Sequence, residues 1–137
     1  MITTARRQHI NQVILPALAS GKLVLCDRFT YSTLVYQCIV KGMDKALFDE
    51  LNEKLLGDIK PELCIYFDLP PSMVAERTSR RKGAAKTVYD KKGLEFHENL
   101  RKAYLNIAGT CDEMKVIDAT KTIDEITAQV LELIEHA

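Results

Sequence analysis

Three short runs in this 137-residue chain end in an aspartate: Leu23-Val24-Leu25-Cys26-Asp27, Leu63-Cys64-Ile65-Tyr66-Phe67-Asp68 and Lys115-Val116-Ile117-Asp118. Each is too short for a helix. Such runs read as strands at 23–27, 63–68 and 115–118, and the unbroken apolar run of the first suggests burial on both faces, as in a parallel sheet. Between them the apolar period changes to that of a helix. Ile10, Val13, Ile14, Ala17 and Leu18 recur over 4–20, where Pro16 should kink the helix and Gly21 should stop it. Further helices are expected at 32–41, at 44–56 with a Leu47, Leu51, Leu55 stripe, from Pro71 onward and at about 94–108. A last helix opens on the capping box Thr122-Ile123-Asp124-Glu125 and points Ile123, Ile126, Val130 and Ile134 inward. Strands alternating with helices give an α/β fold with a parallel sheet. All three strands then present carboxylates at the carboxyl edge, where open α/β sheets bind ligands.

Composition narrows the function. A formal net charge of zero disfavours a general binder of nucleic acid or anionic membrane. No apolar run of 18 residues and no signal peptide is visible in the sequence, so a cytoplasmic protein with no membrane span is expected. Cys26, Cys38, Cys64 and Cys111 are scattered, with no CxxC pair, and read as reduced thiols acting as small hydrophobes. His9, His97 and His136 fall on separate expected helices, which argues against a metal cluster.

Three constellations can carry chemistry. Asp27-Arg28 is either a strand-terminal ion pair or an anion site. Arginine offers a planar fork for phosphate oxygens, and the neighbouring carboxylate can hold Mg²⁺ weakly through water. Phe29, Ser32, Thr33, Tyr36 and Gln37 follow. They are core aromatics with polar neighbours, or a stacking face with directed hydrogen bonds for a nucleobase. From 77 to 92, seven cations (Arg77, Arg80, Arg81, Lys82, Lys86, Lys91 and Lys92) face one acid, Asp90, for a local charge of +6. That stretch is a solvated face or a lid over phosphates.

The segment from Ala5 to Gln37, ARRQHINQVILPALASGKLVLCDRFTYSTLVYQ, resembles bacterial thymidylate kinases. The shared pattern is an arginine-bearing helix with a Gln-His pair, a Pro-Ala-Leu segment, Asp-Arg-aromatic, and Ser followed by Tyr-Gln. PELCIYFDLPP and VIDATKTIDEI resemble later strands and helices of the same family. The resemblance covers the whole chain as one domain, 1–137, corresponding to the C-terminal two-thirds of such a kinase with a basic lid at about 76–93. It implies a nucleoside-monophosphate-kinase-like parallel sheet with flanking helices, ATP and thymidylate (dTMP) as substrates, Mg²⁺ with ATP, and a homodimer through the first helix. By matching position, Arg28 would hold the acceptor phosphate, with Asp27 near the metal. Arg6 would reach a thymine carbonyl, and Phe29, Ser32, Thr33, Tyr36 and Gln37 would surround the base and sugar. Arg77, Arg80 and Arg81 would be lid cations, with Arg77 and Arg81 acting in catalysis and Arg77 and Arg80 on ATP. Ala119 and Thr120 would lie near the adenine.

The sequence also departs from that family. The family's first strand and its phosphate loop, GxxGxGK(S/T), have no counterpart, since glycines occur only at 21, 42, 57, 83, 93 and 109. The stacking aromatic one turn before Arg6 is Ile2, and the lid's Asp-Arg-x-Glu is Thr87-Val88-Tyr89-Asp90. Without the first strand, the strands at 23–27 and 63–68 either pair with each other or leave open edges. The expectation is therefore a thymidylate kinase with impaired turnover in these residues alone. The alternatives are a non-catalytic nucleotide-binding module and a structural remnant.

Overall fold

The computed structural model describes residues 2–57, 59–80 and 92–137. They form two compact units, Met1–Lys60 and Pro61–Ala137.

The first unit opens on α1 (Ile2–His9), which runs into a π-helical segment, Ile10–Ile14, and then α2 (Leu15–Ala19). Pro16 explains the change. Its missing N–H and its ring forbid the ordinary ladder in the turn before it. The helix widens instead of kinking, and the Leu15 N–H reaches back five residues to the Ile10 carbonyl. Gly21, at φ +72°, ends α2, with the Lys22 N–H bonded to the Ala17 carbonyl at 3.1 Å. After a bend at Asp27-Arg28 come α3 (Thr30–Thr33) and a second π-helical segment, Leu34–Val40, where one plain helix over 32–41 was expected. Asp44 caps α4 (Lys45–Leu56) by accepting from the Leu47 N–H at 3.1 Å. Ile10, Ile14 and Leu56 make the core, with Val24, Phe29 and Ile59 packed on it. On α4 the buried residues are Phe48 and Leu56, whereas Leu47 of the expected stripe is exposed.

The strand expected at 23–27 does not form. Residues 22–26 have no regular secondary structure and join no ladder among the described residues. Val24 meets the core, while Leu23 and Leu25 are 70% and 79% exposed, so the run is covered on one side rather than two.

The second unit holds the sheet: β1 (Cys64–Asp68) and β2 (Met114–Asp118), parallel, with Asp68 opposite Asp118 at the carboxyl ends. Around them lie α5 (Pro71–Arg80), α6 (Leu94–Ala108) and α7 (Ile123–Glu135). The basic stretch expected as a lid from 76 begins inside α5, and 81–91 lies outside the described residues. The capping box of α7 forms as expected, but Ile123 is exposed, and Ile126, Val130 and Ile134 are only half-buried.

Candidate functional site

In the first unit, the bend after residue 26 brings several expected site residues together. Arg6, on α1, donates through Nη2 to the Phe29 carbonyl at 3.1 Å and to Thr33 Oγ1 at 2.6 Å. Its guanidinium carbon lies 5.2 Å from the centre of the Phe29 ring. Burial pulls the Arg6 guanidinium below the usual arginine value, with Cys26 acting in the opposite sense. Its Nη1 is buried without a partner among the described residues.

Arg28 is exposed, and its guanidinium carbon stands 5.6 Å from the centre of the Tyr36 ring. Among the described residues it is the sole non-glycine at positive φ, +64°. L-residues pay about 1–2 kcal/mol for that conformation, and such outliers collect at functional sites. The Cys26 thiol donates weakly to the Arg28 carbonyl at 3.5 Å. Cys26 is exposed, so it is no small hydrophobe of the core. Burial pushes the thiols of Cys38 and Cys64 up, with nearby acidic groups adding to the effect.

In the second unit, the carboxyl edge of the sheet is tied to both neighbouring helices. The Asp68 carbonyl accepts from the Ala119 N–H at 2.8 Å. The Asp68 carboxylate takes Arg101 of α6 as a bidentate partner, 2.7 Å to each oxygen. Arg77 of α5 donates to the Ala119 carbonyl at 3.0 Å. Asp118 accepts the Thr120 N–H at 2.9 Å and its hydroxyl at 2.7 Å, closing a tight turn. Those two bonds, the hydroxyl's first, hold the Asp118 carboxyl below the usual range. Tyr66 and Tyr104 stack beneath, 4.8 Å between ring centres and 11° between planes.

The thymidylate kinase family profile matches residues 1–130. The chain is 36% identical over 137 residues to a thymidylate kinase of Ligilactobacillus salivarius, covering 99% of this chain and 66% of that protein. It is 38% identical over 132 residues to one of Geobacillus sp., with 96% and 63% covered. Against one of Caulobacter vibrioides it is 42% identical over 135 residues, with 98% and 64% covered.

The chain belongs to the thymidylate kinase family.

It spans 63–66% of the length of these three relatives. Of the residues that the family resemblance singled out, Arg6, Phe29 and Thr33 form one bonded group, and Arg28 and Tyr36 form a second beside it in sequence. Ser32 lies on α3, Gln37 lies on the second π-helical segment, and Asp27 is exposed at the bend. Arg77 meets Ala119, and Thr120 meets Asp118. Arg80 ends α5, and Arg81 lies outside the described residues. Residue-by-residue reading missed the Asp68–Arg101 clamp. The signal was present: Tyr66 and Asp68 share one strand face, Arg101 and Tyr104 share one helix face, and the two pairs match.

Proposed function

We propose that this chain takes part in thymidylate kinase chemistry, ATP + dTMP to ADP + dTDP, within dTDP and dTTP synthesis, and that residues 1–60 carry the acceptor half of the site. The observation that carries this reading is the Arg6–Phe29–Thr33 group followed directly by Arg28 over Tyr36. Arg28 takes the acceptor phosphate, for which its exposed fork suits two oxygens. The inner Nη1 of Arg6 is the donor for a base carbonyl, because its Nη2 is already engaged. Phe29, Ser32, Thr33, Tyr36 and Gln37 frame base and sugar. In residues 61–137, Arg77, Arg80 and Arg81 act on the ATP phosphates, with Arg77 and Arg81 stabilising the transferring group. Ala119 and Thr120 border the adenine.

Among the described residues no three His, Cys, Asp or Glu side chains converge. A lone exposed carboxylate at Asp27 suits Mg²⁺ that arrives on phosphates and keeps its waters. When bound with ATP, Mg²⁺ supplies charge neutralisation at the transferring phosphoryl group.

Residues 1–137 belong to one kinase-type domain, cytoplasmic and homodimeric through the first helix. Val13, Leu15 and Leu18, exposed on that helix, support such pairing. We also infer that these 137 residues alone turn over very slowly. No phosphate loop of glycines and lysine occurs in the sequence, and that loop holds the β- and γ-phosphates in this chemistry. The same observation favours a second reading, a module that binds thymidylate without catalysis.

Calorimetric titration tests this. Wild type and Arg28→Ala are titrated with dTMP, with and without Mg·ATP. Binding lost in Arg28→Ala supports the acceptor site, and turnover then separates kinase from binding module. An absence of heat with either nucleotide refutes both readings.

A further inference from the structure

The second π-helical segment, Leu34–Val40, is unusual in length and in lacking a local cause. π-helical backbone is rare and mostly appears as single-turn bulges, frequently at functional sites. The first such segment in this chain is followed by Pro16, whereas 34–40 holds neither proline nor glycine, and the residue two places after it is Gly42, a helix stop at φ +72° that keeps its N–H. Its sequence, LVYQCIV, does not force it open. The wide ladder is therefore held by contacts made elsewhere in the fold. They gather at its amino-terminal end: Thr33 is buried and bonded to Arg6, Val35 is fully buried, and Tyr36 lies under Arg28.

We infer that the π-helical register of 34–40 is a positioning device that sets the Tyr36 ring beneath the Arg28 guanidinium, and that relaxing it to an α-helix dismantles the acceptor cluster. The argument is geometric. A ladder closed at i→i+5 takes one more residue per hydrogen-bonded ring than one closed at i→i+4. Thr33 and Val35 are fixed by burial upstream, and Phe48 and Leu56 fix α4 downstream. One residue removed between these anchors lets the segment close as α. Tyr36 sits inside that span, so its direction changes relative to Arg28. Arg28 is itself held in a left-handed conformation, so both partners of this contact sit on uncommon backbone. Wider turns also place the segment on the less stable side of a choice, the usual cost of a built site.

Ile39 is exposed and takes no part in the cluster, so its deletion is the test. Wild type, an Ile39 deletion, Ile39→Ala and Arg28→Ala each receive a fluorinated tyrosine at position 36, read by fluorine NMR. The expected result is that the deletion moves the Tyr36 resonance in the same sense as Arg28→Ala, while Ile39→Ala leaves it in place. The deletion also raises the melting temperature by a few degrees. An unmoved Tyr36 resonance in the folded deletion variant overturns the proposal. A second arm rests on the acceptor-site reading: dTMP affinity falls at least tenfold in the deletion variant and is kept in Ile39→Ala. If wild type binds no dTMP, the acceptor reading fails, and the resonance alone decides the positioning role.

Discussion

Arg28 combines two separable contributions, a charge and a strained backbone, and two substitutions at that position divide them. Arg28→Ala removes the guanidinium and leaves an L-residue at φ +64°. Arg28→Gly removes both the charge and the strain. An exposed cation over an aromatic ring is worth about 0.5–1 kcal/mol, so each variant loses that amount. The left-handed conformation costs an L side chain about 1–2 kcal/mol. Glycine recovers it but has about 0.5–1 kcal/mol more chain entropy to lose on folding. The net advantage of glycine over alanine is thus roughly 1 kcal/mol. For a chain of this size that difference is about 4 °C in melting temperature.

The expected order is wild type and Arg28→Gly nearly equal, with Arg28→Ala lower by about 3–5 °C. Thermal unfolding followed by circular dichroism at one protein concentration reads it. Titration with dTMP reads the other half of the argument. Both variants lose one charge-assisted contact of about 1.5–3 kcal/mol, so both bind roughly tenfold to a hundredfold more weakly, and to the same extent. Equal melting temperatures for the two variants would refute the claim that strain is stored at residue 28. A glycine variant less stable than the alanine variant would show that the left-handed conformation is not the native one.

Other perturbations address the remaining anchors. Thr122→Ala removes the first cap of α7 and costs about 1 kcal/mol at neutral pH, measured by urea unfolding. The Thr122 hydroxyl and then its N–H hold the Glu125 carboxyl below the usual carboxylate range. Its contribution is therefore full above that range and fades as pH falls through the lowered value, so the penalty of Thr122→Ala shrinks in acid. Arg6→Lys keeps a charge but cannot both bridge Phe29 and Thr33 and stack on a ring, so dTMP affinity falls about tenfold, read by calorimetry. Asp68→Asn keeps the size but not the charge that Arg101 grips, and amide hydrogen exchange in α6 should speed up while α4, in the other unit, is unchanged.

What could be read from sequence divides along a physical line. Helices marked by their own stops and caps were legible: α4 up to Gly57, α6 in its bounds, and α7 from its capping box. The parallel pair β1 and β2 was legible from two apolar runs ending in aspartate. The phase of the α4 stripe was misread, because Leu47 and Phe48 are equally apolar and only the packing selects Phe48. The two π-helical segments differ in kind. Pro16 announced a disturbance in the first helix, whereas nothing between Leu34 and Val40 announces the second. At the site, the Asp27-Arg28 pair and the Thr33 and Tyr36 positions were visible as residue types at a spacing. The Arg6–Thr33 bond joins residues 27 apart in the chain, so no local pattern could state it.

The run at 23–26 shows the same limit most sharply and allows a decisive substitution. An unbroken apolar run implies burial on both faces only if other elements pack over both faces, and that condition is not local. Here Val24 packs against Ile10, Ile14 and Leu56, while Leu25 points away from any cover among the described residues. Val24→Ala removes two carbons from a half-buried site and should cost about 1–2 kcal/mol. Leu25→Lys places a charge on the open side and should change stability by no more than about 0.5 kcal/mol. It should also reduce self-association seen by light scattering, because a charge blunts an open apolar edge. Were 23–26 covered on both faces, Leu25→Lys would bury an unpaired charge and leave the chain unfolded or nearly so. Chemical denaturation of the two variants therefore decides whether this segment has one packed side or two.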